Sequence, residues 1–237
     1  MKIKPIILVA GEPNSIFLEI FFKAIKINFY KSPLILICCK KILLNQMKRN
    51  RFKKKIKTLE LHELIKYKLD NKSINLINIE CKKINKKFSI NLTNKYLTSS
   101  FDVALKLIKD KFSHKLINGP INKKSFLKKK FLGVTEYISA KYKSKKTGML
   151  IYNKNLSVSP LTTHLPLKLV AKNITKKNIE DRINLINKFY KKDLKSNPKI
   201  AVTGMNPHCE SILRFNEDDK IVYKAIVSQK KRGVNVK

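Results

Sequence analysis

The feature that most restricts this chain is an alternation of two apolar patterns. Short, wholly apolar runs recur between longer stretches whose apolar residues return every three or four positions. Residues 6–10 (IILVA) are apolar throughout, as a strand buried on both faces must be. Residues 16–27 then space their apolar side chains as a helix does. Further strands are predicted at 34–39, 74–79, 116–117, 149–152, 156–159 and 200–203. Helical spacing covers 103–112, 135–142, 179–190 and 217–230. Residues 40–68 read as helical or irregular, with RNRFKKKIK a solvated face or loop. Strands alternating with helices predict an α/β fold: a parallel or mixed sheet with helices on both faces. Two subdomains around a cleft are expected, residues 1–120 and 121–237.

Composition narrows the function classes. A hydrophobic fraction of 43% excludes a wholly disordered chain. Basic residues number 53 against 16 acidic ones, a formal charge of +37. Such a balance often marks a nucleic-acid binder. Here only Arg49, Arg51, Arg182, Arg214 and Arg232 carry the guanidinium fork that reads phosphate and guanine. The lysines are spread among Ile and Asn, residues that share A/T-rich codons, so drift in base composition can account for the charge; a selected nucleic-acid surface is the other reading, and nucleic acid is not the expected partner. Cys38, Cys39, Cys81 and Cys209 form no CxxC pair and no zinc spacing, which fits a reducing, cytoplasmic setting. No apolar run approaches the length of a membrane span or a signal peptide.

In parallel α/β sheets the chemistry sits in the turns that follow the strands. Here these are Gly11-Glu12-Pro13, Asn118-Gly119-Pro120, Thr162-Thr163-His164-Leu165-Pro166 and Gly204-Met205-Asn206-Pro207-His208. Of four histidines, His164 and His208 follow predicted strands directly. Two such imidazoles could hold a divalent metal; hydrogen-bonded loop histidines are the other reading. His62 and His114 read as surface residues. Lys123 could meet an anion or be one more surface lysine. Thr135, at a helix start after Gly133, could cap that helix or donate to a phosphate. No dinucleotide loop, P-loop, nucleophile elbow or HExxH motif occurs.

The turns VAGEP, INGPINK, GVTEYI, TTHLPL and GMNPHCE, in that order, resemble the 4-hydroxythreonine-4-phosphate dehydrogenase family of vitamin B6 biosynthesis. That family carries GDP or GEP near its start, then TGPxxK, GHTE, TTHxPL and NPHAGE. The resemblance runs over essentially the whole chain. It implies a two-domain fold akin to isocitrate and isopropylmalate dehydrogenases, and a homodimer with its site near the subunit interface. It implies NAD and a divalent metal (zinc, magnesium, manganese or cobalt) and a small phosphorylated substrate. By this similarity His164 and His208 are metal ligands and Thr135 contacts the substrate's phosphate; Lys123 stands beside Thr135 as a candidate substrate contact from the turn itself.

The departures carry expectations of their own. Val134 stands where the family has the His of GHTE. Asn14-Ser15-Ile16-Phe17-Leu18-Glu19 replaces a glycine-rich AGIGPE, and the glycines after NPH are gone. The family's third metal His, in a YHDQG-like motif, and later Lys, Asn and Arg contacts have no counterpart before Lys237. An enzyme of impaired turnover is therefore expected. The alternatives are an inactive remnant or fragment of that fold, or a basic nucleic-acid binder.

Overall fold

The apolar runs of the first half become a five-stranded sheet in the computed structural model, which describes residues 3–81, 89–128, 130–144, 146–205 and 216–237. The strands are β1 (Ile6–Val9), β2 (Leu34–Cys38), β3 (Ile56–Thr58), β4 (Ile74–Asn78) and β5 (Lys115–Asn118). Their order is β3-β4-β2-β1-β5, and every pair is parallel. In register, Val9 lies between Ile37 of β2 and Asn118 of β5. The expected parallel sheet is thus present.

Period-two alternation divides the strand side chains between two cores. Leu8, Ala10, Leu36, Cys38 and Leu76 face helices α1 (Phe17–Ile27) and α2 (Lys40–Arg49) through Leu18, Phe22 and Leu43. Ile7, Val9, Ile35, Ile37 and Ile77 face the other way. They meet α3 (Ile90–Lys109) through Phe101 and Ala104, and Leu127 of α4 (Lys123–Leu127) and Tyr137 of α5 (Val134–Tyr142) join this side. Helices therefore cover both faces, and each fully buried aliphatic side chain contributes about 1.5–3 kcal/mol.

Several elements differ from the periodicity reading, each for a local reason. Helix α3 starts at Ile90, well before the predicted 103. The Ser89 hydroxyl accepts from Leu92 N at 3.3 Å, and burial of Tyr96, Leu97 and Ser100 carries a polar stretch of weak helix propensity. Strand β3 lies inside the stretch read as a lysine-rich loop. It is an edge strand, where lysines can point to water and discourage further pairing.

The chain divides into two compact units, Met1–Tyr142 and Lys143–Lys237, so α4 and α5 belong with the first. The second unit is built on α6 (Leu167–Asn173), α7 (Lys176–Asp193) and α8 (Lys224–Lys231), with a π-helical turn, Asp218–Tyr223, leading into α8. Its core is Ile174, Ile179, Ile183, Val222, Ala225, Val234 and Val236. Helix α8 ends in a Schellman motif at Gly233 (φ +76°), with Val234 N bonded to Gln229 O at 3.1 Å and Gly233 N to Lys230 O at 2.9 Å. Among the described residues the predicted strands 149–152, 156–159 and 200–203 are not strands. They hold only isolated bridges, Ile151 with Val158 and Ile200 with Val236, because no neighbouring described segment extends the ladder. No described helix is long and apolar enough to cross a membrane.

Candidate active site

Two of the predicted turns meet at the carboxyl edge of the sheet because β1 and β5 are neighbours. The fit is so close that neither Gly11 nor Gly119 has room for a side chain. A Cβ on Gly119 would lie 2.7 Å from the Ala10 carbonyl carbon and 2.9 Å from Phe17 Cδ2. One on Gly11, which already sits at φ +78°, would lie 2.8 Å from the Gly119 carbonyl carbon. Backbone bonds lock the contact: Gly119 N donates to Val9 O at 2.7 Å, and Glu12 N to Pro120 O at 2.9 Å.

Glu12 then links the turn to the next element. Its Oε1 accepts from Asn122 N at 3.1 Å, while Asn122 Oδ1 accepts from Ser125 N at 3.1 Å and caps α4. Lys123 is thereby fixed as the first residue of α4, exposed to solvent. Asn94 Nδ2 donates to Ser125 O at 3.0 Å and fastens α4 to α3.

Thr135 is the second residue of α5 and half-buried. The helix opens at buried Gly133, whose carbonyl accepts from Tyr137 N at 3.1 Å. The Tyr137 ring meets Phe126 of α4 edge-on at 5.0 Å and Phe101 of α3 at 5.4 Å. Burial raises the Tyr137 phenol above its ordinary pKa, so it stays neutral. Lys123 and Thr135 therefore ride on two short helices joined by an aromatic contact. Sequence reading singled out both residues as candidates and missed what holds them. Glu12 and Asn122 are separated by too many residues for any local pattern to pair them.

His164 lies in the second unit, exposed, at φ +58° in its Thr-Thr-His-Leu-Pro turn. Left-handed backbone at a non-glycine residue is uncommon, and histidine is among the residues that tolerate it. Pro166 follows and opens α6, with Leu169 N bonded to Pro166 O at 2.8 Å. His208 falls outside the described residues. Among the described residues no three His, Cys, Asp or Glu side chains gather into a metal cluster. One imidazole of the expected pair is thus placed, on a solvent-facing turn of the second unit. His62 and His114 are both exposed.

With this geometry in place, comparison with known proteins is informative. The family profile of pyridoxal phosphate biosynthetic protein PdxA matches residues 30–237. The 4-hydroxythreonine-4-phosphate dehydrogenase of Sulfurihydrogenibium sp. (strain YO3AOP1) is 29% identical over 232 residues, covering 95% of this chain and 70% of the relative. That of Aquifex aeolicus (strain VF5) is 33% identical over 128 residues, covering 52% of this chain and 39% of the relative. A solved structure of the enzyme of the same name from Klebsiella pneumoniae superposes with a TM-score of 0.81 at 21% identity, over 99% of this chain and 74% of that one. That last likeness is one of fold.

Proposed function

Since the chain belongs to the family of pyridoxal phosphate biosynthetic protein PdxA, we propose that it serves the oxidation of 4-phosphooxy-threonine in pyridoxal phosphate biosynthesis. The substrate's secondary alcohol gives up its carbon-bound hydrogen as hydride and its hydroxyl proton. The bond to the carboxylate then breaks, carbon dioxide leaves, and its electron pair stays on the remaining carbon, which is protonated to an aminoketone phosphate. When bound, NAD supplies the hydride acceptor and the divalent cation the Lewis acid.

The chain's own residues divide the binding. The Thr135 hydroxyl and the free N–H groups opening α5 donate to the phosphate. Lys123 adds a mobile positive charge at the start of α4. His164 and His208 are the proposed metal ligands. The Val134 side chain offers the phosphate no donor, so the grip is weaker than in relatives with His there. Two histidines alone hold a metal weakly, so another ligand, from water or protein, completes the site. The protein acts in the cytoplasm as a homodimer.

The observation that carries this reading is the Gly11–Gly119 contact, which sets the Asn122-capped helix and its Lys123 at the sheet's carboxyl edge. The test is NADH formation from 4-phosphooxy-threonine with zinc, manganese, magnesium or cobalt supplied in turn. Substrate-dependent NADH with at least one metal, reduced roughly tenfold or more in Thr135→Ala, is expected. Absence of NADH with every metal, together with no detectable substrate binding, would contradict the proposal.

A further inference from the structure

The second unit carries a cavity of about 450 Å³ between α7 and the segment that crosses it after residue 146. This size suits a small organic ligand. Its walls include Met149, Tyr152, Leu185, Ile186 and Phe189, and Arg182 contributes a positive charge. The guanidinium is half-buried. Its Nη1 donates to Met149 O at 3.4 Å and Ser159 Oγ at 3.3 Å, and its Nη2 to Leu161 O at 3.4 Å. All three acceptors are neutral and all three bonds are long.

Among the described residues no carboxylate pairs with Arg182. Its neighbour Asp181 is taken by Lys146 at 2.6 Å, and Glu180 faces Lys176 at 3.8 Å. Burial lowers the Arg182 pKa, and no opposing ion pair offsets it. A half-buried guanidinium with donors to spare, set into an apolar cleft, is matched by a planar anion on an apolar body. Gly148 keeps the space open: a Cβ there would lie 2.7 Å from Arg182 Nη1 and 2.8 Å from Leu185 Cδ2.

We propose that this cleft binds a small apolar carboxylate, with the carboxylate on Arg182 and the hydrocarbon against Leu185, Ile186 and Phe189. The site lies wholly in the second unit and involves neither Thr135 nor His164, so its test is independent of the dehydrogenase reading.

The experiment is calorimetric titration of the full chain with octanoate, with octanamide as the neutral analogue and inorganic phosphate as competitor. One saturable site is expected, with octanamide and the Arg182→Leu variant each weaker by roughly tenfold or more. Arg182→Lys should fall between, since it keeps the charge and loses the fork. Phosphate should not displace octanoate. If Arg182→Leu does not fold, Gly148→Ala decides, because its methyl displaces the guanidinium and crowds Leu185 while leaving the loop's acceptors in place; comparable weakening is expected. Equal binding of octanamide, unaltered binding in the variants, displacement by phosphate at equal concentration, or only unsaturable binding would each overturn the proposal.

Discussion

Glu12 Oε1 and the backbone N–H of Asn122 are 3.1 Å apart, a hydrogen bond between residues 110 positions apart in the chain. Together with the Glu12 N to Pro120 O bond it joins the turns after β1 and β5. Glu12 is half-buried, so its loss should matter modestly. Glu12→Ala is expected to lower stability by about 1 kcal/mol, and Glu12→Gln, which keeps an acceptor, by less. Urea unfolding of the three proteins measures both.

Two glycines should fail differently when given a side chain. Gly119→Ala meets backbone and the Phe17 ring and is expected to cost about 1–3 kcal/mol through overpacking. Gly233→Ala meets nothing within 4 Å and should cost about 1 kcal/mol, from its left-handed φ alone. Raising the temperature of a calorimetric scan on each variant gives the ranking; Gly119→Ala should be the less stable.

Cys38 ties stability to alkaline pH. Burial pushes its thiol up to about 12, partly countered by a hydrogen bond from Tyr96. The unfolded thiol titrates near ~8.5. The folded state therefore disfavours the thiolate, and this contribution is complete below the unfolded value and lost as pH climbs from there toward 12. In a Cys209→Ser background, Cys38, Cys39 and Cys81 should resist alkylation at mildly alkaline pH while folded, since all three are buried, and react on unfolding.

Val134 sits beside Thr135 at the opening of α5, half-buried. With the phosphate held at α5 as proposed, Val134→His is expected to tighten 4-phosphooxy-threonine binding several-fold by adding a side-chain donor. Direct titration of substrate into both proteins checks it. Weaker binding would mean that α5 presents this position away from the phosphate.

The sheet was legible because strands buried on both faces must be continuously apolar: IILVA and LILIC could hardly be anything else. Strand β3 was not, since at an edge it needs only a half-buried face and IKT gives no pattern. The front of α3 was hidden for the opposite reason. Tertiary burial of Tyr96 and Ser100 supports a helix that local propensity does not favour. At the site, the turn residues Gly11, Gly119, Lys123 and Thr135 stood out individually. The Glu12–Asn122 bond that orders them is a long-range contact with no local signature. In the second unit, apolar alternation at 149–152 and 156–159 suggested strands, yet with a single bridge between them the described segments make no sheet.

The proposed roles, His164 and His208 as ligands of a divalent cation and Thr135 as a contact to the substrate's phosphate, can be tested together. The most direct measurement is calorimetric binding of 4-phosphooxy-threonine with and without cobalt, in the parent chain and in His164→Ala, His208→Ala and Thr135→Ala. Binding should strengthen with cobalt in the parent, lose that enhancement in both histidine variants, and weaken in Thr135→Ala whether or not cobalt is present. Binding that is indifferent to cobalt and equal in all four proteins would contradict the account.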